Sequence, residues 1–262
     1  MDILEQIALA KREEVRFNKS EVPADQLERS GFFKRRMPSF RDGLEKPGPS
    51  VIGEFKRKSP SRGDINPSAD IRNVAQGYQN AGASAMSVLT DEKFFGGNNS
   101  DLREAAELIK IPLLRKDFIV DEYQVIEAKS IGASAILLIA SILERGEVET
   151  FSKLAVSLGM DVLFEIHDPD DLEKMSQYTD IIGVNNRNLK NFEVTMNNSD
   201  YLLKYLPKNS LKVAESGIQT CEDVRRLFDN GYDAFLIGET FMKALDPGFA
   251  AKKFIDNLKS VM

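Results

Sequence analysis

The chain has 262 residues, 42% hydrophobic and 29% charged, which suffices for one large core and excludes a disordered or fibrous polypeptide. A formal charge of −6 argues against a general nucleic-acid surface, and there is no apolar run of about 18 residues to span a bilayer. One cysteine, Cys221, and one histidine, His167, make neither a disulfide nor a zinc-type ligand cluster, so the expectation is a reducing, cytoplasmic setting with no metal.

In chain order, Ile3, Leu4, Ile7, Ala8 and Val15 recur at helical spacings, which predicts an amphipathic helix over 3–15. Prolines 23, 38, 47 and 49 punctuate the stretch that follows. Phe32, Phe33 and Phe40 lie within it and are costly to leave in water. Residues 1–47 are therefore expected to be an extension packed on the rest of a single domain spanning 1–262, with a dimerisation arm as the alternative. The basic cluster Lys34-Arg35-Arg36 reads as solvated surface.

From Val51 onward eight apolar runs appear: VIGEFK (51–56), AMSVLT (85–90), IPLLRK (111–116), ASAILLIA (133–140), MDVLFE (160–165), DIIGVN (180–185), LKVAES (211–216) and DAFLIGE (233–239). Amphipathic stretches separate them, at 70–80, 101–109, after Asp121-Glu122, after a capping box of Ser141 with Glu144, and at 168–175, 198–205, 220–228 and 248–258. Gly132, Gly159 and Gly231 stand where a left-handed residue closes a helix before a strand. Eight buried strands alternating with helices predict a closed parallel (β/α)₈ barrel, in which chemistry collects where the strands stop.

Those stops are Glu54, Lys56, Lys116, Glu165, Asn185, Glu215 and Ser216. Glu54 and Lys56 share one parity, so an inward Glu54 brings Lys56 with it, while Phe55 and Arg57 face outward. By the same rule Lys116 follows Leu114 and Glu165 follows Leu163. Each ends an apolar run, and partial desolvation is expected to make the lysine a usable acid and the carboxylate a usable base near neutral pH. A purely structural Lys116–Glu165 ion pair is the alternative.

Ser216-Gly217 and Gly238-Glu239-Thr240, in the last two strand-to-helix turns, have the amides and hydroxyls with which such barrels hold phosphate. Phe94, Phe95 and Phe118 are candidates for apolar walls of a ring pocket or for core packing. His167 reads as a loop or capping residue, and Cys221 as structural.

Six motifs in order, EFKRKSPS (54–61), PLLRKDFI (112–119), EIHD (165–168), GVNNR (183–187), AESG (214–217) and LIGE (236–239), closely resemble the indole-3-glycerol-phosphate synthase family over nearly the whole chain. The resemblance implies a lyase of tryptophan biosynthesis that closes the pyrrole ring of 1-(2-carboxyphenylamino)-1-deoxyribulose 5-phosphate with loss of carbon dioxide and water, without a cofactor. It implies Lys116 as general acid, Lys56 and Glu54 as the acid/base pair of the later dehydration, and Glu165 as another carboxylate that handles protons, with the step of each carboxylate left open. Asn185, Arg187, Glu215 and Ser216 would position the substrate, and Ser59, Gly217, Gly238 and Thr240 would surround its phosphate. The implied partner is that small phosphorylated molecule, bound by a monomer or weak homodimer, with no nucleic acid and no membrane. Two rivals remain at this point: a phosphate-binding barrel that uses lysine as a Schiff base, and a catalytically silent binder on the same fold.

Overall fold

Eight short strands pair side by side, all parallel, until the first meets the last. The coordinates are a computed structural model, and the structure describes residues 3–187 and 193–262. The strands are β1 (Ser50–Phe55), β2 (Ala85–Leu89), β3 (Leu113–Lys116), β4 (Ala135–Ile139), β5 (Asp161–Ile166), β6 (Ile181–Asn185), β7 (Leu211–Glu215) and β8 (Ala234–Ile237). Closure is visible at Ile52, which pairs with Ala85 on one side and Leu236 on the other. The expected (β/α)₈ barrel is present.

The two-residue period of the strands divides the apolar residues into two cores. Ile52, Leu114, Leu137, Leu163, Ile181, Val213 and Leu236 fill the barrel interior. Phe55, Val88, Ile136, Phe164, Ile182 and Phe235 face the helices. The interior set rises to the C-terminal rim, where apolar residues give way to Glu54, Lys116, Glu165, Asn185 and Glu215 at the same parity. The outward neighbours behave as expected: Phe55 joins the outer core, and Arg57 stacks on its ring and pairs with Asp101 at 2.5 Å.

Most helices form where periodicity and caps place them. The helix Ile71–Ala81 starts on an Asp70 cap and ends at left-handed Gly82. Gly132, Gly159 and Gly231 all have positive φ. Two expectations need correction. Ser141 does not cap the next helix: it sits in the 3₁₀ turn Ala140–Ile142, and the capping box is made by Glu144 with Glu147, because the chain needs that extra turn before Arg145–Ser157 begins. The stretch 168–175 is a 3₁₀ turn, Pro169–Lys174, started by the Asp168 cap and the following proline.

Residues 3–47 pack against both ends of the barrel. The N-terminal helix α1 (Ile3–Glu21) runs past the predicted residue 15 and lies over the rim, where Tyr123 Oη donates to the Val22 carbonyl at 2.9 Å. At the opposite end Phe40 and Leu44, both buried, plug the interior, and Asp161 Oδ2 accepts from the backbone amides of Phe40 and Arg41 at 2.7 and 3.0 Å. Lys34, Arg35 and Arg36 are exposed, as a solvated cluster should be. No described helix is long and apolar enough to cross a membrane.

Candidate active site

The C-terminal rim encloses a cavity of about 400 Å³. Its floor is apolar, with Leu89, Leu137, Ile139 and Leu236, and its walls carry the charged strand ends. Lys116 Nζ is the hub, 2.8 Å from Glu215 Oε2 and 3.2 Å from Glu165 Oε2. Across the rim Lys56 Nζ lies 2.5 Å from Glu54 Oε2. Asn185 Nδ2 donates to Glu165 Oε1 at 3.1 Å, and Asn185 Oδ1 accepts from the Arg187 amide at 2.9 Å.

Two glycines make room for these carboxylates. A Cβ on Gly183 would stand 2.2 Å from Glu215 Oε1, and one on Gly238 would stand 2.2 Å from Glu54 Oε2. Neither separation is tolerable between non-bonded atoms, so the present placing of both acids depends on a bare backbone beside them, within β6 for Glu215 and just past β8 for Glu54.

Three buried carboxylates, Glu54, Glu165 and Glu215, share the rim with the Lys116 and Lys56 ammonium groups. Glu165 and Glu215, which share Lys116, titrate together. For Lys116 burial alone would lower the pKa, but Glu215, Glu165 and Glu54 together raise it. Burial would raise Glu165, yet Lys116, His167 and the Asn185 hydrogen bond hold it below the ordinary range. Glu215 is pushed up to about 7 by burial, with Glu165 and Glu54 adding to the effect and Lys116 opposing it. This corrects the expectation from desolvation. Lys116 is not moved toward neutrality and Glu165 is not the acid carried into the neutral range; Glu215 is. The partners across the barrel, rather than burial, decide the direction for the first two.

Of the other residues singled out from sequence, Glu54, Lys56, Phe95, Phe118, Arg187, Ser216, Gly217, Gly238 and Thr240 all line the cavity. Phe95 and Phe118 pack with ring centroids 5.9 Å apart. Ser216 and Gly217 are consecutive residues with positive φ, so the turn after β7 presents its backbone to the cavity. Thr240 donates its hydroxyl to the Ile218 carbonyl at 2.9 Å, tying the last two turns together.

Ser59 and Phe94 are not brought to this cavity. Ser59 lines an adjoining recess of about 70 Å³ beside Ser61, because it pairs with Gly63 in a small hairpin that turns it aside. Phe94 is held in a short helix capped by Asp91, with the Lys93 ammonium over its ring. Cys221 is partly buried at a helix start, and its thiol is pushed up by burial and by Glu222, the opposite of activation.

Sequence reasoning missed several groups. Arg62 and Lys243 line the cavity and pair with Glu239 at 3.4 and 2.5 Å, putting cations beside the last two turns. Behind Lys116, buried Lys11 of α1 lies 2.9 Å from Asp91 and 3.1 Å from Asp117, while buried Arg115 lies 3.3 Å from Asp117 and 2.5 Å from Glu127. The only signal for Lys11 was a lysine on the apolar face of its helix, between Ile7 and Val15. Among the described residues no group of three or more His, Cys, Asp or Glu side chains is arranged to hold a metal ion.

A parallel eight-stranded barrel with paired lysines and carboxylates converging on an enclosed cavity at its C-terminal rim defines a TIM-barrel enzyme built for acid–base chemistry. Structural likeness agrees with the fold. One chain from a structure of the tryptophan synthase α₂β₂ complex of Pyrococcus furiosus superposes with a TM-score of 0.60 at 15% identity, covering 80% of this chain and 98% of that one. Tryptophan synthase subunit alpha of Legionella pneumophila gives 0.62 at 11% identity, covering 84% and 97%.

Sequence likeness goes further. The profile of the indole-3-glycerol phosphate synthase family matches residues 4–254. Indole-3-glycerol phosphate synthases of Bacteroides thetaiotaomicron and Thermoanaerobacter pseudethanolicus are 43% and 44% identical, over 97% and 98% of this chain and 98% of each relative. The Neisseria gonorrhoeae enzyme is 44% identical over 94% of this chain and 96% of its own. The chain belongs to the indole-3-glycerol phosphate synthase family, carboxy-lyases of tryptophan biosynthesis.

Proposed function

We propose that the rim closes the pyrrole ring of 1-(2-carboxyphenylamino)-1-deoxyribulose 5-phosphate, with Lys116 as the first proton donor. The observation that carries this reading is the placing of Lys116 Nζ, fully paired yet facing the cavity, between Glu215 and Glu165. Its raised pKa keeps it protonated, the form that a donor needs and a Schiff-base nucleophile lacks.

The carboxylate-bearing aromatic carbon attacks the ketone carbon, the C–C bond forms, and the developing alkoxide takes a proton from the Lys116 ammonium. The bond to the carboxylate then breaks, carbon dioxide departs, and its electron pair restores the aromatic ring. In the last step the Lys56 ammonium protonates the departing hydroxyl, which leaves as water. A rim carboxylate, Glu54 or Glu165, takes the proton lost from carbon. Two protons are given and one returned, so loss of the anionic carboxylate consumes one.

Positive-φ Ser216-Gly217, Gly238 and Thr240, with Arg62, Arg187 and Lys243 alongside, suit the phosphate end. Phe95, Phe118 and the apolar floor suit the anthranilate ring. We place the enzyme in the cytoplasm as a single folding unit, monomeric or weakly dimeric, which light scattering on the purified chain would check. Indole fluorescence appearing when that chain meets the ketose phosphate tests the function; binding of the ester with no turnover would overturn it.

A further inference from the structure

The chain's one histidine stands directly behind one of the proposed proton-handling groups. His167 follows β5, and its backbone is held on both sides: its amide donates to Asp171 Oδ2 at 2.8 Å and its carbonyl accepts from Asn198 Nδ2 at 3.4 Å. Of the two expectations, loop or cap, it meets the first: it lies in the loop after β5, while Asp168 fills the cap. The ring bridges two side chains. Nδ1 is 3.2 Å from Ser141 Oγ, and Nε2 is 3.4 Å from Glu165 Oε1.

The second contact falls short of hydrogen-bond geometry, and Nε2 is buried with no other partner among the described residues. Contacts of this kind are commonly loose without substrate and tighten in the complex. An ionised carboxylate only accepts, so a bare Nε2 there would set lone pair against lone pair. A proton on Nε2 removes that conflict and leaves Nδ1 to accept from the Ser141 hydroxyl.

We propose that His167 is a positioning residue for Glu165. Its Nε2–H, together with the Asn185 amide, occupies Oε1, and Oε2, the oxygen beside Lys116, is left as the one that exchanges protons. The proposal rests on the proton-handling role given to Glu165 above, but its first test does not require turnover.

Because the chain has a single histidine, nitrogen NMR of the intact protein reports on this ring alone. With the pH raised until the nitrogen shifts stop changing, the expected result is a protonated Nε2 and an unprotonated Nδ1; the opposite tautomer would overturn the proposal whatever the enzyme does with its substrate. The second test is kinetic. Glutamine can present an amide N–H where Nε2 stands, and leucine cannot. His167→Leu is expected to lower kcat about tenfold with KM within about twofold, and His167→Gln to recover most of the loss. Leucine and glutamine variants of equal kcat would sink the positioning role. Full activity in Glu165→Gln would instead remove the reading of Glu165 while leaving the tautomer result standing.

Discussion

Lys11 Nζ, on the helix that precedes the barrel, lies 3.1 Å from Asp117 Oδ1, and both side chains are about 1% exposed. Asp117 directly follows Lys116, so the N-terminal helix is ionically joined to the strand that carries the hub of the site. The lysine also meets Asp91 and Glu14, each at 2.9 Å. Burial alone would lower its pKa, but Asp117, Asp91 and Glu14 outweigh that and raise it.

Lys11→Met removes the cation and leaves two buried acids facing each other. The expected cost is about 3–5 kcal/mol of folding stability, read as a shift of the urea midpoint. A loss under about 1 kcal/mol would count against Lys11 as the charge that compensates these acids.

Lys116→Ala is expected to lower kcat by about 10²–10⁴-fold while substrate affinity stays within about tenfold, since the lysine's largest contribution comes as charge develops on the ketone oxygen. Single-turnover kinetics beside equilibrium binding separates the two. Parallel losses in both would assign Lys116 to binding.

Glu215 gives the stability a pH signature. Its folded-state pKa, about 7, stands above the ~4.3 of an unfolded glutamate, so between those values the native state holds more protons. Its contribution therefore falls as pH rises through that window. Glu165 and Asp117 act in the opposite sense: both are depressed, so their stabilisation is present above the ordinary carboxylate range and is lost on acidification below it. Urea midpoints measured from about pH 5 to pH 8 are expected to decline less steeply in Glu215→Gln than in the parent; an identical slope would count against the assignment.

Gly183→Ala should act on Glu215 without touching substrate. The new methyl would fall 2.2 Å from Oε1, and the carboxylate must swing away from Lys116. A fall in kcat of about tenfold or more is expected, with a crystal structure showing Glu215 displaced. An unmoved Glu215 with full activity would show that the β6 backbone yields instead.

Much of this protein was legible in its residues. Eight apolar runs, seven of them ending in a polar or charged residue, specify the strands, and the two-residue period then dictates that Glu54 with Lys56, Lys116 with Leu114, and Glu165 with Leu163 point inward. That logic is local, because a strand's pleat is set by its own backbone. Ser59 and Phe94 escaped it, since they lie beyond the strand ends, where a hairpin and a short capped helix set the direction.

What the sequence by itself determined is the list of strands, the inward parity of the strand-end acids and lysines, and the order in which they reach one rim. Only the tertiary structure decided which of them meet: that Lys116 has Glu165 and Glu215 for neighbours, that Lys11 closes the rim from another helix, and that His167 backs Glu165. The physical reason is that charge interacts through space. Direction and parity are properties of a few consecutive residues, but the proton affinity of a buried group is a sum over partners that only closure of the barrel brings within a few ångströms.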